Sequence, residues 1–262
     1  MIEKKAPDSF ASRMKGYEFV SQPVLMHRTP VIVRVDGKNF SKLTRSMLKP
    51  FDRRLTECME AAAHRLASEA QNCRLVYFQS DEISLLLTDF RTLTTDPWFG
   101  NQVQKICSIS SALATSGFCE EFVKQFPDRA EMGRFPVFDA RCFNLPREEV
   151  ANYFVWRQRD AERNSVSMAA QANFSHKELQ GANRAQMMDM LMLKKGINWN
   201  DYDVAFKRGR VITKETSEVQ AVFPGGSETV VRAKWFPADS PIFSKERDFV
   251  ERFLRDEEVR IQ

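Results

Sequence analysis

The chain has 262 residues, of which 43% are apolar and 28% are charged, and its formal net charge is +4. This composition is typical of a soluble globular protein that is long enough to bury a substantial core. The mild positive charge permits an anionic partner without requiring one. No apolar run approaches the length of a membrane-spanning helix, so we expect no membrane partner.

The five cysteines are scattered along the chain and form no C-x-x-C pair. This pattern disfavours both a disulfide framework and a structural zinc site, and it predicts a reducing, cytoplasmic location. The charged N-terminal residues have no hydrophobic region behind them, so we predict no signal peptide.

The first part of the chain predicts a helix, a strand and a second helix. Residues 1–30 are expected to form an exposed helix and a linker, with four apolar side chains available to dock the helix on the body of the protein. These are Phe10, Met14, Tyr17 and Phe19. A β-branched strand is predicted from Pro30 to Asp36, followed by a basic loop from Gly37 to Pro50. Asp52 is typical of an N-cap, and the apolar spacing from Leu55 to Ala70 predicts one buried helical face.

Two apolar runs then meet at the polar segment Gln79-Ser80-Asp81-Glu82, which predicts a hairpin over Leu75 to Leu87. Asp96-Pro97 predicts the start of a second long helix, and Gly133 to Leu145 predicts another strand. The order β-α-β-β-α-β is that of the ferredoxin-like arrangement. The sequence therefore predicts an α+β fold.

The second part of the chain is predicted to be mixed. One helix is expected from Pro146 to Asn173, and another from Ala182 to Lys194, whose four methionines favour core packing. A small β extension follows, with Pro224-Gly225-Gly226 as a turn. Its predicted strands are Val204-Ala205-Phe206, Val211-Ile212-Thr213 and Val230 to Trp235. A charged helix is predicted from Ser244 to Arg255.

The ferredoxin-like topology places strand one antiparallel to strand three, so that Asp36 is expected beside Asp81 and Glu82. Two adjacent carboxylates at a hairpin tip are unusual, because turns are ordinarily served by Asn, Gly or a single Asp. Converging carboxylates repel one another unless a cation neutralises them, and hard oxygen ligands suit Mg²⁺. Two such ions roughly 4 Å apart can clamp an in-line phosphoryl displacement. Gly37 lets the backbone approach a metal or phosphate closely.

The loop after strand one supplies donors for a triphosphate from Lys38, Asn39 and Ser41. It is not a Walker A loop, since the sequence has no G-x-x-x-x-G-K-[ST]. A Ser/His/Asp hydrolase is disfavoured, because none of the three histidines lies in a recognisable nucleophile setting. Glycosidase chemistry from the carboxylates leaves the basic loop unexplained. Taken singly, each acidic segment is also compatible with an ordinary solvated turn.

Three segments together resemble successive motifs of the tRNA-histidine guanylyltransferase family, including its relatives that polymerise nucleotides in the 3′-to-5′ direction. The segments are Arg34 to Phe40, Lys49 to Arg53, and Gln79 to Ser84. Weaker matches occur at Trp156 to Asp160 and at Gly196 to Asn200. The resemblance implies a polymerase-type palm with added helices and a small C-terminal β extension. It divides the chain into a catalytic palm over residues 1–145 and an extension over residues 146–262, packed together as one structural unit.

The resemblance also implies the reaction and its participants. In that family, ATP or GTP first activates the 5′-phosphate of a tRNA, and the 3′-hydroxyl of an incoming nucleoside triphosphate then displaces the activating group. The partners expected here are two Mg²⁺ ions, nucleoside triphosphates and the 5′ end and acceptor stem of a tRNA. A homotetramer is expected as well.

Carried over by position, Asp36, Asp81 and Glu82 are the catalytic carboxylates. Asp36, the Gly37 carbonyl and Asp81 are expected to bind the metal ions, and Glu82 and Lys49 to contribute electrostatically. The residues expected to bind the nucleotide are Asp36, Gly37, Lys38, Asn39, Phe40, Ser41, Lys49, Ser80 and Asp81.

Departures from the family pattern bear on substrate choice. Guanylyltransferases carry a His-Ile-Asn-Asn-Leu-Tyr-Asn signature where this chain has Glu162 to Met168, and only Asn164 stays in register. Phe51 replaces the asparagine of a Lys-Pro-Asn-Asp pattern, and Met187 aligns with a lysine. These changes favour the branch that repairs 5′-truncated tRNAs by template-dependent addition, over guanylyl addition to tRNA-histidine.

Two other functions stay open on the sequence alone. A nucleotidyl cyclase places similar carboxylates on a palm-like sheet but needs no RNA. A non-enzymatic RNA-binding module shares the strand order, although no RNP1-like pattern of exposed aromatics is present. Basic residues of the second half are candidate contacts for the phosphates of an RNA stem. They are Arg157, Arg159, Arg163, Arg184, Lys194, Lys195, Lys207, Arg208 and Arg210.

Overall fold

The fold is built on one six-stranded antiparallel sheet with the strand order β4-β1-β3-β2-β5-β6. The computed structural model describes residues 9–131, 133, 135–223 and 226–255. Its strands are β1 Val31–Gly37, β2 Cys73–Gln79, β3 Glu82–Leu87, β4 Phe138–Asn144, β5 Arg210–Phe223 and β6 Gly226–Asp239. The first four strands have the predicted ferredoxin-like order. The predicted α+β class is confirmed.

Helices cover both faces of this sheet. They are α1 Ser9–Phe19, α2 Phe40–Leu43, α3 Arg53–Glu69, α4 Val103–Gln125, α5 Pro127–Glu131, α6 Arg147–Asn173, α7 His176–Leu179, α8 Arg184–Lys195, α9 Val204–Arg208 and α10 Asp248–Glu251. Within the described ranges, no helix has both the length and the apolar character needed to cross a membrane.

The larger core lies between one sheet face and the helices α3 and α4. Helix α3 begins where predicted, because the Asp52 carboxylate caps it by accepting a hydrogen bond from the Arg54 amide at 3.2 Å. Met59, Ala62 and Leu66 then fall on one buried face of the helix. They pack with the valines of β1 and with the apolar face of α4.

A second core lies under α6 on the opposite face. Ile32, Leu86 and Tyr77 of the sheet pack there against Val150 and Phe154 of the helix. The C-terminal half of α6 extends into a third cluster with α8 and Trp199. Three methionines of α8 pack partly buried in that cluster, as predicted, while Met192 is exposed. The three are Met187, Met188 and Met190.

Several predicted elements differ in the structure. Helix α1 forms, but its apolar residues are exposed, with Phe10 at 61% and Phe19 at 72%, so the predicted docking is wrong. Helix α4 begins at Val103 instead of at Asp96-Pro97, because Phe99 and Gly100 take left-handed conformations that interrupt the chain before it. Strand β4 begins at Phe138, later than the predicted Gly133.

The predicted β extension also changes. Val204 to Phe206 is helical, since the Asp203 side chain caps α9 by accepting a hydrogen bond from the Ala205 amide. Strand β5 instead pairs with β2, so the extension continues the central sheet. The predicted turn residues Pro224 and Gly225 lie outside the described residues, and the C-terminal helix is short, Asp248–Glu251 followed by a 3₁₀ turn. The domain division after residue 145 stays a prediction.

Candidate active site

Backbone hydrogen bonds join the end of β1 to the tip of the β2–β3 hairpin. In the antiparallel register, Asp36 of β1 lies opposite Glu82 of β3. The next amide, that of Gly37, donates a hydrogen bond to the Asp81 carbonyl oxygen at 2.9 Å. The tip turns at Ser80, whose φ of 49° is in the left-handed region. The predicted proximity of Asp36 to Asp81 and Glu82 is confirmed.

Strand alternation places the acidic and basic residues of β1 on the α6 side of the sheet. Ile32 packs in the core under α6, so Arg34 and Asp36 share its face. The register puts Asp36 between Glu82 of β3 and Asp139 of β4, which gives a row of three carboxylates across the sheet. This face is therefore apolar at one end and charged at the other.

The Asp81 carboxylate has little compensation. It accepts a hydrogen bond from the Ser80 hydroxyl at 3.0 Å. Burial raises the pKa of Asp81, and the negative charge of Asp36 raises it further, against the opposing effect of the Ser80 hydrogen bond. No lysine, arginine or histidine in the described part of the chain forms an ion pair with Asp36 or Asp81. These two carboxylates are thus left to repel each other.

Glu82 is in a different state, because Arg157 of α6 binds both of its oxygens. The guanidinium Nε and one terminal nitrogen donate to the carboxylate at 2.7 and 2.6 Å, and both residues are buried. Burial lowers the pKa of Arg157, but the hydrogen bonds that it donates to Glu82 outweigh this effect and raise the pKa. Asp160 binds Arg157 as well, at 2.8 Å. The predicted catalytic residue Glu82 is therefore committed to a buried ion pair that ties the hairpin to α6.

The loop after β1 divides its residues between the core and the solvent. A Cβ atom on Gly37 would lie 2.3 Å from the Phe40 ring, so glycine is required at this position. Phe40 itself is buried against the rings of Phe118 and Phe138. The Phe40 side chain cannot touch a nucleotide, and only its backbone remains available for the predicted contact. The neighbouring side chains of the loop, Lys38, Asn39 and Ser41, are exposed.

A cleft opens on the far side of the hairpin tip, lined by Ser80, Asp52 and Lys49 together with Asn164 of α6. It holds about 640 Å³, including the solvent at its mouth. The Lys49 ammonium donates to the Thr44 carbonyl at 3.0 Å. Two segments that resemble family motifs, around Lys49 and Ser80, thus meet at one cleft with Asn164, the one residue of the guanylyltransferase signature that stays in register.

An aromatic pair forms one wall of this cleft. Phe51 stacks on Phe206 of α9 with ring centroids 4.9 Å apart and an angle of 7° between the rings. Such a wall suits a flat nucleobase. The replacement of asparagine by Phe51 therefore adds apolar surface to the cleft.

The basic residues predicted to contact RNA are not equally available. Arg157 and Lys207 are buried, and Arg157 is already bound to Glu82, so the prediction is wrong for these side chains. Arg208 and Arg210 are half-buried in ion pairs with carboxylates of α6 and α3. The remaining candidates are exposed. They are Arg159, Arg163, Arg184, Lys194 and Lys195.

The donor set at Asp36 and Asp81 fits a hard divalent cation. Two uncompensated carboxylates converge there, which is the arrangement that Mg²⁺ completes with water and phosphate oxygens. In the described ranges, no group of three or more His, Cys, Asp or Glu side chains is placed to hold a metal ion by itself. Any metal ion held by this pair would complete its coordination with water or with oxygen atoms of a substrate.

Sequence reasoning missed the charged residues that surround the carboxylates. Arg34 of β1 pairs in register with Arg141 of β4. Each arginine lies two residues from the aspartate of its own strand in the row of acids, and therefore on the same face of the sheet. Strand alternation alone could have placed Arg34 on the same face as Asp36. The pairing of Glu82 with Arg157 had no local signal, because the two residues are far apart in sequence.

Comparison with known proteins identifies the family. A model of the tRNA(His) guanylyltransferase family matches residues 11–146, which hold β1, its basic loop and the hairpin. The chain belongs to this family. The predicted family and its nucleotidyltransferase class are thereby confirmed.

Two solved structures of family members cover nearly the whole chain. A bacterial tRNA(His) guanylyltransferase-like protein in complex with ATP has 44% sequence identity and a TM-score of 0.84, over 94% of this chain and 99% of that one. The complex of such a bacterial protein with GTP has 41% identity and a TM-score of 0.78, with the same coverage.

Proteins of lower sequence identity also match this chain. The tRNA(His) guanylyltransferase of Saccharomyces cerevisiae is 26% identical over 217 residues, which are 76% of this chain and 90% of that protein. A solved structure of the enzyme from the same organism, at 24% identity, shares the fold with a TM-score of 0.66 over 76% of this chain and 91% of that one.

Proposed function

We propose that this protein adds nucleotides in the 3′-to-5′ direction to the 5′ end of tRNA, after activating the 5′-phosphate with ATP or GTP. The observation that carries the proposal is the pair Asp36 and Asp81, which lies beside a cleft and forms no ion pair with a cationic side chain of the described residues. The bacterial relatives in complex with ATP and GTP support nucleotide binding by a chain of this fold.

Different residues of the site bind different parts of the nucleotide. The exposed donors Lys38, Asn39 and Ser41 follow Asp36 directly and can bind triphosphate oxygens. Ser80 and Lys49 add polar groups from the cleft, and the Phe51 wall can receive the base. These contacts orient the nucleotide phosphates toward the carboxylates, which is the main requirement of phosphoryl transfer.

Asp36 and Asp81, with the Gly37 backbone carbonyl, are the proposed ligands of two Mg²⁺ ions. When bound, the ions supply positive charge to the phosphoryl oxygens and to the attacking and leaving oxygens. Glu82 acts here through Arg157, which fixes the hairpin against α6 so that Asp81 is held beside Asp36.

The proposed reaction consists of two successive displacements, as the family resemblance implies. In the first, an oxygen of the tRNA 5′-monophosphate attacks the α-phosphorus of ATP, and pyrophosphate leaves. In the second, the 3′-hydroxyl of an incoming nucleoside triphosphate attacks the activated 5′-phosphorus, AMP leaves and the hydroxyl proton passes to solvent. Each step exchanges one phosphoester or anhydride bond for another.

We favour template-dependent repair over guanylyl addition to tRNA-histidine. The signature of the second activity is replaced by Glu162 to Met168, and Glu162 is engaged with Arg208 and Arg184. A cytoplasmic location and a homotetrameric state complete the proposal, and cell fractionation and light scattering would test them.

The direct test uses a 5′-monophosphorylated tRNA that lacks its first nucleotide, with Mg²⁺ and labelled triphosphates. We expect addition of the nucleotide that pairs with the unpaired template base, and a change of that base should change the nucleotide added. Asp36→Asn and Asp81→Asn should each lower the rate by about a hundred-fold or more. Glu120→Gln, whose carboxylate is exposed and paired with Arg65 on the opposite side of the sheet, should retain activity. Cyclic product from ATP without RNA, or RNA binding without turnover, would overturn the proposal.

A further inference from the structure

The charged end of the α6-side sheet face is open over β4. Helix α6 meets this face through Tyr153, which bonds the Ser84 hydroxyl at 2.8 Å, and through Arg157. On β4 the side chains of Asp139 and Arg141 are exposed. A surface beside Asp36 is thus accessible to a large substrate. We define it as the open face, formed by the charged residues of β1 and β4.

Arg34 at the centre of the open face has an unused donor. Its register neighbours are Arg141 on one side and Ser84 on the other. Its Nε atom is buried, and no group in the described part of the chain accepts a hydrogen bond from it. Buried guanidinium donors are ordinarily satisfied, so the Arg34 guanidinium retains donor capacity that a bound ligand can use. A phosphate group matches a guanidinium in both charge and shape.

Arg141 adds a second cation to the open face. Its only charged partner among the described residues is Asp139, at 3.0 Å, and both side chains are about half exposed. Exposed pairs of this kind are weak, so a phosphate can compete for the arginine.

Trp156, which precedes Arg157 on α6, adds a flat apolar surface. Its ring packs edge-on against Tyr153, with centroids 5.9 Å apart, and the Arg157 guanidinium lies 4.4 Å from its centroid. The side chain nevertheless remains 51% exposed. An exposed aromatic ring held in place beside cationic groups is the arrangement on which nucleic-acid bases stack.

The open face and the cleft lie on opposite sides of the carboxylates. In the strand order β4-β1-β3-β2, the cleft is at the tip of the β2–β3 hairpin, whereas the open face is on β1 and β4. An in-line displacement brings its attacking and leaving groups from opposite sides of the phosphorus. With a nucleotide in the cleft, the open face is left for the second reactant.

We propose that the open face binds the 5′-phosphorylated end of an RNA acceptor, with Arg34 and Arg141 contacting the terminal phosphate and Trp156 stacking on the terminal base. This inference rests on the proposed function, which supplies the RNA as the second reactant. It assigns the recognition of the 5′-phosphate to this chain's own arginines and separates it from nucleotide binding by the cleft and the loop after β1.

The test compares two short RNA acceptor-stem hairpins that differ only in a 5′-phosphate or a 5′-hydroxyl. Fluorescence anisotropy with the full-length protein should show at least about ten-fold tighter binding of the phosphorylated hairpin. Arg34→Gln should abolish that preference, and Arg141→Gln should reduce it several-fold. Affinity for the 5′-hydroxyl hairpin and for ATP should be unchanged in both. Arg65→Gln on α3, an arginine on the opposite side of the sheet, is the matched control and should behave as wild type.

Trp156 is tested separately. Trp156→Ala should weaken both hairpins by about ten-fold, in line with the loss of one stacked base, and Trp156→Phe should restore most of the affinity. A change of oligomeric state with unchanged RNA affinity would overturn the stacking role.

Stability and activity controls keep the outcomes distinct. If Arg34→Gln fails to fold, RNA binding is compared in the exposed variant Arg141→Gln and in the conservative variant Arg34→Lys. An undiminished preference of Arg141→Gln for the 5′-phosphorylated hairpin overturns the inference. Equal binding of the two hairpins by the wild-type protein overturns it as well. Wild-type discrimination without nucleotide addition would refute the proposed function and leave this inference standing. Addition with an intact preference in both arginine variants would refute this inference alone.

Discussion

The same strands present two very different faces. On the side of α3 and α4, strand β1 places Val31, Val33 and Val35 in the core along its whole length, each at most 3% exposed. On the side of α6, Ile32 is fully buried, but Arg34 and Asp36 follow it at the end where the hairpin meets the strand. The face toward α3 and α4 is apolar along the whole strand. On the face toward α6, charged side chains replace apolar ones at one end of the strand.

Strand alternation makes this division possible. Because successive side chains point to opposite faces, charged residues can enter one face without interrupting the core on the other. Strand β4 repeats the pattern, with Phe138 in the core and Asp139 exposed. The well-packed face thus holds the strands rigidly in register, and the register sets the positions of the charged groups. Substitutions on the two faces should therefore have separable effects.

The largest expected effect on stability comes from Arg157→Ala. It leaves the Glu82 carboxylate buried without a partner, and we expect a loss of about 3–5 kcal/mol in the free energy of unfolding. The matched double variant Glu82→Leu with Arg157→Met should recover most of that loss, since it removes both charges together. Urea denaturation measures both. A loss below about 1 kcal/mol in the single variant would show that the pair is not buried as described.

Val35→Ala on the packed face should have a smaller effect. It removes two buried methyl groups and leaves a cavity, which we expect to cost about 2–3 kcal/mol. The folded protein should keep its rate of nucleotide addition, measured at a temperature well below the midpoint of unfolding. A hundred-fold fall in that rate without loss of stability would contradict the separation of the faces.

Asp81→Asn should give the smallest change in stability, and of the opposite sign. Because the folded-state pKa of Asp81 is raised by burial and by Asp36, the wild-type protein loses stability relative to the variant as pH rises. The two proteins should be equally stable below the ordinary carboxyl pKa. The variant should become more stable, by on the order of 1 kcal/mol or less, once the pH passes the raised value.

Thermal melts between pH 3 and 8 follow this difference over the window set by the ordinary and raised pKa values of Asp81. The variant should also lose activity, so that stability and activity move in opposite directions. A variant that is less stable than the wild type at neutral pH would show that Asp81 is compensated after all.

The sequence was sufficient for the parts of the site that depend on local pattern and topology. The residue pattern predicts the β-branched strand before Asp36 and the hairpin around Asp81. The ferredoxin-like strand order then predicts that the two lie side by side. The helix capped by Asp52 was also predictable, because an N-cap is a local hydrogen bond. The resemblance of three motifs to a known family then supplied their expected roles.

The sequence does not predict side-chain contacts between residues that are far apart along the chain. Arg157 reaches Glu82 across 75 residues of sequence, and nothing near either residue indicates the other. The prediction that Arg157 contacts RNA is therefore wrong. The segment Val204 to Phe206 looked like a strand, but the cap from Asp203 and packing against Phe51 make it helical. The exposure of Phe10 and Phe19 likewise depends on tertiary packing, which composition does not report.

The central claim is that Asp36 and Asp81 act together as the metal-binding carboxylates of the charged face. Calorimetric titration of ATP with and without Mg²⁺ tests it without RNA or turnover. We predict that Mg²⁺ tightens ATP binding by the wild-type protein and by Asp139→Asn, and that Asp36→Asn and Asp81→Asn each lose at least about ten-fold of that gain. An undiminished Mg²⁺ dependence in both of these variants would contradict the account.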